Sequence, residues 1–343
     1  MRLSSTLPAG VSALLFESAA RLRRLEALLA DELEACDFRE AVLPMLDYFA
    51  PYEPLLPPAA RAELYRFADR DGELLALRSD FTPMLARLLA PHLEGLALPL
   101  RLFYRGEVVR CPERGARSEV EQHQIGGELL GRASEGLALE REAALVCARL
   151  LALASGGRAR LVLGLAGALD ELLVAAVGPE RAPELARAIA RRERGAARGA
   201  AAAMPAPTPG VAEAIAEIVE RGTPSDNRHL GERGATALAR LESVRQELTR
   251  LDPAVEATID LAEFADFTAL SGTAAAADPG ARDFRPYYDG LVMRAYLPGR
   301  ARPVASGGRY DALFRRLGAE VAAVGFSLRL DALAERQQPE LQP

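Results

Sequence analysis

The 343-residue chain contains no lysine, and all 42 of its basic residues are arginine. Chemistry that needs a lysine amine is excluded, whether a Schiff base, a pyridoxal anchor, a P-loop or a kinase-type phosphate contact. Cysteine is scarce, with three residues in all. Cys36, Cys111 and Cys147 lie far apart without a CxxC spacing. They support neither a disulfide framework nor a cysteine zinc site, and a reducing cytosol is expected. The three histidines, His92, His123 and His229, are scattered and imply no metal site. Long apolar runs are missing. Nothing approaches the ~18 residues of a membrane span, and the N-terminal MRLSSTLPAGVSALL lacks the apolar core of a secretory signal. These absences predict a soluble cytoplasmic protein with no membrane partner. A formal net charge of −6 gives no broad basic field, so no nucleic-acid partner is expected. The arginine-rich stretch ARRERGAARGA reads as a solvated helix face. A GxGxxG fingerprint after a first strand is also absent, which argues against a doubly wound dinucleotide fold.

What is present is apolar mass and pattern. Half of the residues are hydrophobic, enough to bury a sizeable core in one large domain or two smaller ones. From Phe16 to Ala35 apolar residues recur at helical spacing. The following DFREAVLPMLDYF is extended, and its Pro44 places it at an edge or an interface. Leu64–Asp69 and Glu73–Leu77 flank an Asp-Gly turn and predict a hairpin. Thr82 before Pro83 predicts a helix N-cap, with Asp80 beside the helix start. Two strands are expected over Leu98–Val109 and Glu119–Leu130, then a helix over Gly136–Leu153. From about residue 167 to 253 strand signals nearly vanish among Ala- and Arg-rich helices, which predicts an inserted helical subdomain. Strands resume at Thr258–Leu261, Gly290–Tyr296, Val304–Ser306 and Val321–Gly325, and the Gly307-Gly308 pair reads as a turn. Runs of antiparallel strand signals with clustered helices favour an α+β fold.

One region carries the chemistry. LRSDFT (77–82), FYRGEVVR (103–110) and HQIGGELLG (123–131) bring Asp80, Thr82, Arg110, Gln124 and Glu128 into a single stretch. Side chains alternate along a strand, so Gln122, Gln124, Gly126 and Glu128 share a face. Carboxylates answer an ammonium group and arginine answers a carboxylate, which suits a small zwitterion such as an amino acid. Taken singly, each of these residues would more often serve structure, and Tyr287 and Tyr288 would pack a sheet.

In order, LPAGVSALL, FREAVLPMLDYF, LRSDFTPMLAR, FYRGEVVR, HQIGGELLG, PYYDGLV, SGGRYDALF and AVGFSLRLDAL resemble the core of the class II histidyl-tRNA synthetase family. The resemblance spans nearly the whole chain. It implies a six-stranded antiparallel sheet flanked by helices, with dimerisation through the proline-bearing first motif. It also implies an L-histidine pocket of Asp80, Phe81, Thr82, Arg110, Gln124, Glu128, Tyr287, Tyr288, Arg309 and Tyr310.

The family holds both the synthetase and the regulatory subunit of ATP phosphoribosyltransferase, and departures from the synthetase pattern separate them. Asp283 stands where the synthetase has an arginine. Arg329 replaces an inner glycine of the closing motif, and Ala332 replaces its terminal arginine. Cys111, Pro112 and Glu113 stand where a second Arg/Glu pair is expected, and QQPELQP follows where a synthetase continues into an anticodon-binding domain. A triphosphate needs cations to neutralise its developing charge.

The resemblance therefore implies a non-catalytic regulatory subunit in histidine biosynthesis. It would need no cofactor, partner a short-form ATP phosphoribosyltransferase catalytic subunit, and respond to L-histidine. The alternatives are a divergent synthetase that still activates histidine with ATP, and a ligand-free assembly partner. Arg285, two residues from Asp283, offers a substitute cation.

Overall fold

The structure, a computed structural model, describes residues 7–56, 58–111, 119–195, 199, 210–251, 254–267 and 288–335. It divides into two compact units, residues 1–157 with 313–343, and residues 158–312.

In the first unit, helix α1 (Phe16–Ala35) turns one stripe inward. Leu22, Leu25, Leu29 and Leu33 are each at most 3% exposed, following helical spacing. A short β1 (Arg39–Glu40) follows, then β2 (Leu46–Tyr48), and Pro44 lies between them rather than inside either. The hairpin expected around the Asp-Gly turn is present as β3 (Arg66–Ala68) and β4 (Leu74–Leu77), and β4 also pairs with β2. Helix α3 (Phe81–Leu89) comes after the short α2 (Pro58–Ala62).

The long strands β5 (Leu100–Val109) and β6 (Glu121–Gly131) pair antiparallel, and β6 pairs antiparallel with β11 (Ala322–Arg329). β11 runs beyond the expected Gly325 by four residues. Helix α4 (Gly136–Ser155) ends at Gly156, whose φ of +61° is the left-handed stop that glycine adopts without strain. Together α1, α4 and α10 (Leu330–Ala334) cover one face of this sheet. Leu33, Leu129, Leu150 and Leu151 are fully buried beneath them. Burying each such side chain contributes roughly 1.5–3 kcal/mol.

The second unit is built on β7 (Arg160–Leu165), β8 (Glu256–Ile259), β9 (Leu291–Tyr296) and β10 (Ala305–Arg309), in the order β10-β9-β7-β8. Between β7 and β8 the described residues form helices α5 (Asp170–Val177), α6 (Ala182–Ala190), α7 (Val211–Arg221) and α8 (Gly231–Leu251) and no strand. Strands β7 and β8 are parallel, which requires a crossover rather than a hairpin, and the helices supply it. Arg192 ties this segment together. Its guanidinium donates to the Ile218 and Val219 carbonyls at the end of α7, where helical acceptors lack partners, and to Asp260.

Six strands thus run in antiparallel ladders, β5-β6-β11 and β10-β9-β7. The purely antiparallel sheet implied by the resemblance is corrected at two places, where β1 joins β5 and β8 joins β7 in parallel. Gly307 and Gly308 are corrected as well. They lie within β10, paired with Met293 and Val292 of β9, rather than in a turn; glycine is needed at 308 because a Cβ there would stand 2.5 Å from the Leu291 carbonyl and 2.6 Å from the Tyr288 ring.

Candidate functional site

In the first unit the site is assembled where α3 begins against β5 and β6. The N-cap of α3 is Asp80, not Thr82: its Oδ1 accepts the Thr82 backbone N–H at 3.0 Å, and Pro83 is the third helical residue. An aspartate serves this position because its carboxylate satisfies a helical donor and faces the positive end of the helix dipole. The capping frees the Thr82 hydroxyl, which donates to Glu128 Oε1 at 2.5 Å. Tyr104 donates to the same oxygen at 3.3 Å. Glu128 is 1% exposed, Tyr104 2% and Thr82 8%. Burial pushes the Tyr104 phenol well above its ordinary pKa, and the nearby Glu128 and Asp80 carboxylates push it further, so it remains a donor.

Space for Glu128 comes from a neighbouring strand. Gly325 faces Glu128 in the β6–β11 register, and a Cβ there would fall 1.6 Å from Glu128 Oε2. Gly126 does the same for Tyr104, whose hydroxyl would be 2.5 Å from a Cβ. Neither Tyr104 nor Gly325 was singled out from sequence. The available signal was a large residue paired with a glycine across adjacent strands, visible only once the register is known.

Gln124 lies on the same face of β6 as Glu128, is 5% exposed, and makes a long 3.4 Å bond to Gln122. Arg110 is half-buried and its Nε donates to the Ser79 carbonyl at 2.9 Å, which holds it beside Asp80. No carboxylate among the described residues forms an ion pair with it. Phe81 is 1% exposed and stacks on Tyr104 at 4.2 Å, so it supports the phenol from behind. Its other face carries the Arg78 guanidinium at 4.0 Å. Arg78 is itself buried, donating to the carbonyls of Leu43, Pro44 and Glu107. It acts as a clamp joining three segments beneath the site.

In the second unit, Tyr288 is half-buried and packs against Phe267 at 5.6 Å. Arg309 donates to Asp311 at 2.6 and 2.9 Å, and Tyr310 is 1% exposed. Asp289 accepts the backbone N–H groups of Asp311 and Ala312 and so starts helix α9 (Asp311–Arg316). Tyr287, Asp283, Arg285 and Glu113 lie outside the described residues.

At the closing motif, Arg329 pairs in register with Gln124, and its guanidinium is committed to Glu119 and Asp331. Ala332 is 3% exposed and belongs to the core. Neither position offers a cation toward a phosphate.

The histidyl-tRNA synthetase family model matches residues 10–333. An ATP phosphoribosyltransferase regulatory subunit of Moorella thermoacetica is 33% identical over 339 residues, covering 95% of this chain and 80% of the relative. The chain belongs to the histidyl-tRNA synthetase-like family of ATP phosphoribosyltransferase regulatory subunits. A regulatory subunit of Symbiobacterium thermophilum is 34% identical, with 97% of this chain and 80% of that one covered.

Solved structures place the fold of these regulatory subunits here too. A Bacillus halodurans structure described as an ATP phosphoribosyltransferase regulatory subunit/histidyl-tRNA synthetase aligns with a TM-score of 0.79 at 23% identity, over 100% of this chain and 86% of that one. A histidyl-tRNA synthetase from a Nostoc species aligns at 0.72 and 18%, over 98% and 75%. The fold is class II synthetase-like, α+β, with helices about the sheets. Among the described residues no helix is long and apolar enough to cross a membrane.

Proposed function

We propose that the Asp80, Thr82 and Glu128 cluster binds the ammonium end of L-histidine and that this binding feeds back on a partner enzyme. Family membership makes the chain the regulatory, non-catalytic subunit of ATP phosphoribosyltransferase, which opens histidine biosynthesis. The observation that carries the ligand half is the buried Glu128 carboxylate, held by the Thr82 hydroxyl next to a second carboxylate, Asp80. A buried carboxylate is costly unless charge and hydrogen bonds answer it, and an ammonium group answers both. Arg110, anchored beside Asp80, is the cation for the ligand's carboxylate. Phe81 and Gln124 complete the proposed set in this unit.

The partner in this reading is a short-form catalytic subunit. Self-association as a dimer through the segment around Pro44 belongs to the same proposal, supported by the exposed Val42, Leu46 and Tyr48. Feedback requires that histidine bind the inhibited arrangement more tightly, by ~1–3 kcal/mol for typical coupling.

The test combines this chain with a separately purified short-form ATP phosphoribosyltransferase. Stimulated formation of phosphoribosyl-ATP, and its suppression by L-histidine, are expected. Stimulation without any histidine response would leave only an assembly role. Histidine-dependent exchange of pyrophosphate into ATP by this chain alone would instead make it an enzyme.

A further inference from the structure

The face of β6 opposite Gln124 and Glu128 borders a cavity. Glu121 and His123 point to the α1 side of the sheet, where α1, the chain entering β6, and α10 enclose a volume of about 260 Å³. That is just below the usual range of drug-sized pockets and suits a ligand of amino-acid size. Its walls combine apolar surface from Leu14 and Leu22 with a dense set of charges.

Most of those charges are already matched. Arg23 pairs with Glu26 at 2.6 Å, and Arg329 holds both Glu119 and Asp331; His123 Nε2 lies 3.3 Å from Glu107 Oε1. Glu335 is likewise engaged. Among the described residues, one cation and one anion remain. Arg21 makes a single long contact of 3.4 Å to Ser18, and its Nε is buried without a partner among the described residues. Glu121 is exposed and has no ion-pair partner among the described residues. Among the described residues Asp331 Oδ1 and Arg329 Nε are also buried and unbonded; Asp331 lines the cavity, and Arg329 is the ion-pair partner of its lining residues Glu119 and Asp331. Buried polar atoms are nearly always satisfied, and a cluster of exceptions beside a ligand-sized space points to an occupant.

We propose that this cavity is a second small-molecule site, taking a zwitterionic α-amino acid. The ligand's carboxylate meets Arg21, its ammonium meets Glu121, and its side chain lies against Leu14 and Leu22. The proposal does not rest on the Glu128 reading, since the two sites use opposite faces of one strand.

The experiment titrates each common L-amino acid, histidine included, into the wild-type protein and the variants Arg21→Gln, Glu121→Gln and Glu128→Gln. Calorimetry and thermal shift are the readouts. At least one amino acid should bind wild type and Glu128→Gln with affinities within about twofold, and both other variants should weaken it about tenfold or more, the scale of a lost charge-assisted bond. The C-terminal amide of that amino acid should bind as poorly as the free acid binds Arg21→Gln. Because Glu121 is exposed, Glu121→Gln decides the matter even if Arg21→Gln folds badly. Binding unaffected by Glu121→Gln overturns the proposal. So does a loss in Glu128→Gln equal to that in Glu121→Gln, or no amino-acid binding outside the Glu128 site.

Discussion

Thr82 Oγ1 donates a 2.5 Å hydrogen bond to Glu128 Oε1, joining the first turn of α3 to β6 across 46 positions of sequence. Tyr104 reaches the same oxygen at the longer 3.3 Å. Thr82→Val keeps the shape but removes the shorter donor from a buried acceptor, which should cost ~1–3 kcal/mol. Tyr104→Phe should cost less, about 1 kcal/mol. Urea unfolding of both variants checks the order, and Thr82→Ser should recover most of the loss.

Gly325 is the only residue type that leaves room for the Glu128 carboxylate, given the 1.6 Å approach of an added Cβ. Gly325→Ala should destabilise by ~1–3 kcal/mol through overpacking. If the proposed pocket is correct, it should also abolish L-histidine binding while circular dichroism stays native. Retained histidine binding in a folded Gly325→Ala protein would remove Glu128 from the pocket.

Arg78 is 6% exposed and spreads its guanidinium over three backbone carbonyls while covering the Phe81 ring. A lysine ammonium cannot reproduce that fork. Arg78→Lys should therefore strand at least one carbonyl and cost ~1–3 kcal/mol, measured by chemical denaturation. A loss within error would show that water replaces the clamp.

Glu242 on α8 is held down to a pKa of about 2 from 4.5, chiefly by hydrogen bonding from Arg245, with Gln246 adding to it. A lowered carboxylate pKa stabilises the fold fully above 4.5, and that contribution disappears as pH falls toward about 2. The side chain is 40% exposed, so screening limits the effect to ~0.2–1 kcal/mol. Glu242→Gln should thus be slightly less stable than wild type at neutral pH, and the gap should close between pH 4.5 and about 2 in paired thermal melts. A gap that widens on acidification would contradict the sign.

Much of the architecture was legible from local pattern. The α1 stripe, the Asp-Gly hairpin and the paired strands β5 and β6 each follow from periodicity or turn chemistry carried by neighbouring residues. Local pattern does not choose between Asp80 and Thr82 as the helix cap, because both Asp and Thr can fill that role and only backbone conformation decides. The alternation that puts Gln124 and Glu128 on one face is likewise local.

Sequence by itself thus determined which elements form, which residues can carry charge, and, through its motifs, the family. Tertiary structure decided what those charges meet. Strand register set Gly325 under Glu128 and Gly126 under Tyr104, and the β7–β8 crossover made an edge parallel. Arg329, which replaces a glycine in the linear motif, proved to be a bound cation between Glu119 and Asp331, two residues that line the same cavity as Arg21 and Glu121. The reason is physical: propensity and periodicity act over a few residues, whereas hydrogen bonds and close packing join positions separated by tens of residues. Those partners exist only once the strands are aligned.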